Sequence, residues 1–230
     1  MARRVEHYRG LTQPSRLRLL GAIQSEPGLL LRELATRTGL HENTVRDHLD
    51  VLEEEGLVTR ETRHSGGRGR PPQTYHPVRE AHRNVEAERR VDDAARHGDL
   101  LRRMQRDTPA TGLDADALHQ LDALYEHLDD SGFEPELHDD RLEIDLVPCP
   151  FTPLVDTDQE FVCRVHSQLI RDTLTQVPGP LRLTQLDARP SHDRCRAHLG
   201  VVQDSDLPRS MPATTSAPAP TSTSNHSPSA

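Results

Sequence analysis

Residues 41–58, HENTVRDHLDVLEEEGLV, constrain the fold of this 230-residue chain more than any other stretch. Val45, Leu49 and Leu52 recur at helical spacing, and Gly56 ends the helix before an extended Leu-Val pair. Polar side chains crowd the other face of the first turn and a half. We therefore expect a short helix that packs by one face and offers its front end to a binding partner.

The neighbouring segments complete a recognisable unit. PSRLRLLGAIQSE (14–26) begins with a proline at a typical first helical position, and LLLRELATRTGL (29–40) is amphipathic and ends at a glycine. Two short helices joined by a glycine-containing turn form a helix-turn-helix, whose second helix enters the major groove of DNA. Residues 56–78 then form two extended stretches around SGGRGRPP, which predicts a hairpin, or wing, with a basic tip.

This arrangement predicts DNA contacts from both the second helix and the wing. Asn43 and Arg46 are the candidates for base edges, and the wing arginines are candidates for phosphate or the minor groove. Thr44 and His48 suit backbone phosphate, and Asp47 would hold an arginine in place. The alternatives are a protein-binding winged helix and ordinary solvated side chains. The candidate DNA-binding residues are Asn43, Thr44, Arg46, Asp47, His48, Arg68 and Arg70.

Charge divides the chain into unlike halves. The net charge is −9, which argues against a protein that coats itself in nucleic acid. Residues 1–80 hold 13 Arg against 11 acidic residues, whereas the remainder holds 15 against 26. This asymmetry is typical of a DNA-binding head on an acidic body. With no apolar run of membrane-spanning length and no signal peptide, we expect a cytoplasmic protein without membrane contact.

We expect an α+β protein in four parts. Residues 1–80 form the winged helix-turn-helix head, and 81–112 form a helical connector that can pair with a partner. Residues 113–202 form a small α+β body, with helices in 113–137 and 159–177 and strands at 141–147, 180–186 and 194–202. Residues 203–230 form a disordered tail, because they are mostly Pro, Ser, Thr and Ala.

Three cysteines carry the chemistry of the body: Cys149, Cys163 and Cys195. An odd count argues against a disulfide framework, and the spacing is not that of a zinc knuckle or ribbon. Cys163 and His166 share one face of a predicted helix, whereas Cys195 and His198 would point to opposite faces of a strand. Packing alone and thiol redox sensing are the alternatives to metal binding. Because no phosphate loop, dinucleotide motif or nucleophile elbow is present, we do not expect an enzyme.

The quoted head motifs, with the wing GGRGRPPQTYHP, resemble the ArsR-like winged-helix transcription regulators over about residues 10–80. That resemblance implies a homodimer on a palindromic double-stranded DNA operator. The body, over roughly 118–202, resembles the effector domain of the Suf repressor group: a CPF motif, then Cys-x-x-His in a helix, then a late Cys in a strand. This second resemblance implies a repressor controlled by an iron–sulfur cluster, with Cys149, Cys163 and Cys195 as ligands.

The chain lacks one of the cysteine ligands found in the Suf repressor group. The family pattern has a further cysteine between the second and the last, and residues 164–194 contain none. His166, His192, Asp193, another oxygen donor or an external thiol would have to complete the site, and mixed Cys/His ligation is known for two-iron clusters. Zinc is the other candidate metal. The alternative functions are a regulator responding to an organic ligand or to thiol oxidation, and a thiol- or metal-dependent enzyme with a winged-helix appendage.

Overall fold

A computed structural model of the chain describes residues 11–63, 71–104, 112–138, 141–191 and 194–202. The head contains three helices and a small antiparallel sheet of strand order β1-β3-β2. The predicted helices and the two strands of the wing are confirmed, but the wing tip, with Arg68 and Arg70, lies outside the described residues. The elements are α1 Pro14–Ser25, β1 Leu29–Leu30, α2 Leu31–Thr38, α3 Glu42–Glu54, β2 Val58–Thr62 and β3 Gln73–Pro77.

Local sequence explains where these helices begin and end. Pro14 opens α1 at a position whose N–H would have no partner within the helix. Gly39 ends α2 with φ of 69°, a left-handed conformation that favours glycine, and Leu40 N–H then donates to the carbonyl of Ala35. The turn delivers the chain directly to α3, where His41 Nδ1 accepts from the N–H of Asn43.

The connector is helix α4, Val85–Met104, and it lies against α5, Ala115–Asp130. Ala94 of α4 and Ala123 of α5 are buried together with Val177, which allows a close approach of the two helices. Helix α4 lies within the predicted connector, and its described inner face packs on the body of its own chain.

The body is an α+β layer, as predicted. Strands β4 (Glu136–His138), β5 (Glu143–Leu146), β6 (Leu181–Ser191) and β7 (Arg194–Val201) form an antiparallel sheet of order β4-β5-β7-β6. Helices α5 and α6, the latter Thr152–Thr175, pack against β6.

Three elements of the body differ from the sequence prediction. Strand β4 was not predicted; its Leu137 pairs with Ile144 of β5. Strand β6 continues to Ser191, beyond the predicted end at residue 186. Helix α6 begins at Thr152 rather than at 159, because a kink at Asp158 joins two helical segments. Asp158 Oδ1 accepts from the N–H of Phe161 at 3.1 Å, so the predicted start is where the second segment begins.

Head and body share an apolar core. An added Cβ on Gly21 of α1 would lie 2.9 Å from Val165 Cγ2 of α6, so the two helices are in close contact. Arg79, just after the wing, forms an ion pair of 2.9 Å with the buried Asp172 of α6. No helix in the described part of the chain is long and apolar enough to cross a membrane.

Candidate nucleic-acid interface and the cysteine-bearing body

The front end of α3 is exposed and polar. Asn43, Arg46 and Asp47 are exposed, and Thr44 is half-buried beside them. Arg46 Nη1 donates to Asn43 Oδ1 at 3.0 Å, so the two candidate base-contacting side chains support each other. Opposite them, Val45, Leu49 and Leu52 are buried in the core. The helix therefore offers a guanidinium and an amide from a fixed scaffold.

His48 differs from the other candidates on α3. It is 9% exposed and forms a 3.0 Å hydrogen bond with Ser15 Oγ at the start of α1. Burial, followed by the charge of Arg16, lowers the pKa of His48. The phosphate contact expected for His48 is not supported by this placement, because the residue joins α3 to α1 on the packed side of the helix.

Arg60 of β2 contributes to the head in a way that the sequence did not indicate. Its guanidinium contacts Glu53 and lies 3.0 Å from Asp50, both on the second half of α3. These bonds raise the pKa of Arg60, and they join the wing sheet to the recognition helix. Asp47, by contrast, lies on the exposed front half of α3, next to Arg46.

The three cysteines lie in three different elements of the body. Cys149 is half-buried between two prolines, and its carbonyl accepts from Thr152 Oγ1 at 2.7 Å. Cys163 is half-buried on α6. Cys195 is buried on the inner face of β7, opposite Leu146. His198 points to the other face, where its Nε2 is 2.9 Å from Asp187 Oδ2, as the strand spacing predicts.

His166 lies in an aromatic environment. Its ring stacks parallel to Phe133 at 5.1 Å and meets Phe151 edge-on at 5.4 Å. Burial lowers the pKa of His166 to about 4, so the ring is neutral at pH 7. Its Nε2 is buried and forms no hydrogen bond within the described chain.

The donors do not form a metal-binding group in this arrangement. Among the described residues, no three Cys, His, Asp or Glu side chains are placed so that they could hold a metal ion. His192 and Asp193, two candidates for a fourth ligand, lie outside the described residues. The structure thus places the three cysteines around the body without assembling them as ligands.

The outer face of the sheet holds a charged cluster that sequence reasoning missed. Asp145 is 1% exposed and accepts from Arg196 Nε at 2.6 Å, with Arg194 and His138 each at 3.2 Å. These partners, Arg196 foremost, lower the pKa of Asp145. Strand alternation could have placed Asp145 on one face with Glu143, but only the pairing of β5 with β7 brings Arg196 opposite.

Comparison with known proteins covers the head. Residues 11–61 match a family model described as a helix-turn-helix domain. The match spans α1 to most of β2, and it includes all the candidate contacts on α3. No curated protein and no solved structure shows significant similarity to the chain. The chain therefore carries a helix-turn-helix domain, which points to a DNA-binding regulator.

Proposed function

We propose that this protein is a transcription regulator that binds double-stranded DNA through α3 and the wing. The observation that carries the proposal is the exposed Asn43–Arg46 pair at the front of a helix whose opposite face is fully buried. Arginine and asparagine are the side chains best suited to bidentate hydrogen bonds with guanine and adenine in the major groove. Thr44 and Asp47 flank the pair, and Arg68 and Arg70 supply the wing contacts.

The resemblance of residues 10–80 and 118–202 to this family of regulators supports a homodimeric repressor on a palindromic operator. In such a protein the state of the body favours one spacing of the two heads, and DNA affinity changes only if the two states bind DNA differently. The contacts of α1 with α6 and of Arg79 with Asp172 give the body a physical connection to the head.

The cysteines are the proposed place where the body receives its signal. Cys149, Cys163, Cys195 and His166 are the proposed ligands of an iron–sulfur cluster, by their residue types and their order along the chain. In the described arrangement they do not form a ligand group for a single metal ion. Zinc, thiol oxidation and an organic ligand are the competing signals.

DNA binding is tested by selecting duplexes from a randomised library with the wild-type protein and then measuring affinities by fluorescence anisotropy. Arg46→Ala should weaken binding to the selected duplex by roughly tenfold to a hundredfold, because one bidentate base contact is worth about 1–3 kcal/mol. Thermal stability should be nearly unchanged, since Arg46 is exposed.

Arg37→Ala is the matched control. Arg37 is exposed on α2, not on the recognition helix, and forms an ion pair with Glu26. Its substitution should leave affinity within about twofold. Enrichment of no sequence by the wild type, or equal losses for the two variants, would contradict the proposal.

The signal is tested by purifying the protein without air and measuring iron, sulfide and zinc. Iron and sulfide in similar amounts, lost in Cys149→Ser, would support a cluster; zinc alone would support a structural metal. If the protein is metal-free even after reconstitution with iron and sulfide, the cluster proposal is wrong, while DNA binding is unaffected by that result.

A further inference from the structure

Asn84 joins the end of the recognition helix α3 to the start of the connector α4. Its Nδ2 donates to the carbonyl of Glu53 at 2.8 Å and to that of Val58 at 3.3 Å. Its Oδ1 accepts from the N–H groups of Glu86 and Ala87 at 2.9 and 3.1 Å. One buried side chain thus binds a carbonyl at the end of α3, a carbonyl of β2 and two N–H groups that α4 leaves open at its start.

Arg90, two turns further along α4, contacts the same end of α3. It is 2% exposed, and its Nη2 donates to the carbonyl of Glu55 at 2.8 Å. Gly56 makes this approach possible: it has φ of 72°, and an added Cβ would lie 3.0 Å from Ala87 N and 3.3 Å from Arg90 Nη2.

The guanidinium of Arg90 also faces the body. Its Nε lies 3.4 Å from Asp130 Oδ2 at the end of α5, an ion pair whose side chains are 3% and 20% exposed. His127, one turn earlier on α5, is fully buried, and its pKa is lowered first by burial and then by the charge of Arg90. Arg90 therefore touches the recognition helix and the polar interior of the body with a single side chain.

We propose that Asn84 and Arg90 form a latch that positions the recognition helix, and that the Arg90–Asp130 pair makes this position depend on the body. The 13 residues of α3 span about 20 Å, so a tilt at its rear end displaces the front end, where Asn43 and Arg46 lie. Base contacts tolerate little displacement, because hydrogen bonds weaken steeply outside a narrow range of distance and angle. The role in DNA binding rests on the proposed function; the latch itself does not.

Hydrogen exchange measures the latch in the full-length protein without DNA. The amides of Glu55, Gly56 and Leu57 donate within the last turn of α3 and report its order. In Arg90→Met these amides should exchange roughly tenfold faster than in wild type. Arg89→Met is the matched control, because Arg89 is more exposed and pairs with Glu86 and Asp93 of its own helix.

Asn84→Asp tests the other half of the latch. It also distinguishes a local change at the end of α3 from a general loss of structure. A carboxylate still accepts from the N–H groups of α4, but it cannot donate to Glu53 and Val58. The amides at 55–57 should exchange faster while those of Glu86 and Ala87 keep their protection. Faster exchange across the whole protein would instead indicate general destabilisation and would count against the latch.

The dependence on the body is tested by Asp130→Asn, a change confined to α5. It should speed exchange at 55–57 by a few-fold and weaken binding to the duplex selected by the wild-type protein. Asp129→Asn, its exposed neighbour, should change neither. Unchanged exchange in both Arg90→Met and Asn84→Asp would refute the latch, and unchanged exchange in Asp130→Asn would refute its dependence on the body.

DNA affinity separates this inference from the proposed function. Faster exchange in Arg90→Met should accompany a roughly tenfold loss of affinity for the selected duplex, equivalent to one misplaced base contact. Faster exchange with unchanged affinity would refute the positioning role alone. If the wild-type protein selects no duplex, the proposed function fails, and the exchange results still decide whether the latch exists.

Discussion

The head and the body differ in what they bury. The head packs aliphatic side chains from its three helices, such as Leu20, Leu34 and Leu49, and buries few polar groups, His48 among them. The body buries more polar and ionisable side chains together with its aliphatic core. In the body these are Gln120, His127, Ser131, Asp145, His166, Asp172, Thr173 and Gln176.

This difference affects how the stability of each region depends on pH and on hydrogen bonding. Burying apolar area stabilises a fold under many conditions, whereas a buried polar group is tolerated only with suitable partners or in its neutral state. Stability should therefore depend on pH and on single hydrogen bonds mainly through the buried polar groups of the body, while His48 is a buried ionisable side chain of the head. A body with such an interior is suited to respond to a signal, and the head is suited to transmit it to DNA.

The largest expected loss of stability comes from replacing the buried side chain of Gln120. Its Nε2 donates to the carbonyl of Leu174 at 2.7 Å, and its Oε1 accepts from the N–H of Leu181 at 2.7 Å. Gln120→Leu would leave both backbone groups buried without this partner, and each such group costs about 1–3 kcal/mol. We expect the free energy of unfolding to fall by roughly 3 kcal/mol in urea denaturation.

Gln24→Leu is the control in the head. Gln24 is half-buried and donates to the carbonyl of Val165 at 3.3 Å, where water can replace it. Gln24→Leu should lower the free energy of unfolding by less than about 1 kcal/mol. Equal losses for the two variants would remove the proposed contrast between the interiors.

The next effect is a loss of stability of the body in acid. The pKa of His166 is about 4 in the folded protein and 6.5 in its ordinary range, so the unfolded chain takes up the proton first as pH falls. Stability therefore decreases from about pH 6.5 down to about pH 4, and this residue should account for roughly 2 kcal/mol between pH 7 and pH 5. His127, whose pKa is also lowered, adds to the loss in the same direction.

Urea denaturation at the two pH values checks this expectation. His166→Phe should keep the aromatic packing and reduce the loss of stability between pH 7 and pH 5 by roughly 2 kcal/mol, leaving the part that His127 contributes. His82→Phe, at an exposed position, should leave the pH dependence as in wild type. A wild-type protein that is as stable at pH 5 as at pH 7 would contradict a buried neutral His166.

The same contrast explains what the sequence could predict. The head follows from apolar spacing and two glycines, because Gly39 and Gly56 end helices by a local conformational preference. The exposed front of α3 is equally local, since helical periodicity assigns Asn43 and Arg46 to the face opposite Val45. The packed position of His48 could not be predicted from the sequence, because its hydrogen-bond partner, Ser15, belongs to another helix.

In the body, the decisive contacts join residues distant in sequence. Strand β4 has only three residues, too few for an alternating pattern to indicate a strand, and it is defined by its pairing with β5. The surroundings of His166 come from Phe133 and Phe151, which flank different helices, so no spacing in the sequence indicates that they meet. The cysteine pattern predicts ligands by type alone, and only the fold decides whether they converge.

The smallest effect concerns the contact between the two regions. Gly21→Ala would place a methyl group 2.9 Å from Val165 Cγ2 on α6, which overpacks the contact, although alanine favours the helix by about 1 kcal/mol over glycine. We expect a net loss of about 1 kcal/mol in urea denaturation, and a smaller loss in a Val165→Ala background, where the ring of Phe161 on α6 still lies 3.0 Å from the added methyl group. The double-mutant cycle isolates the contact of Gly21 with Val165, since helix propensity acts equally in both backgrounds. If Gly21→Ala has the same effect with Val165 and with Ala at that position, the proposed contact of Gly21 with Val165 does not form, and at this point α6 would reach α1 only through Phe161.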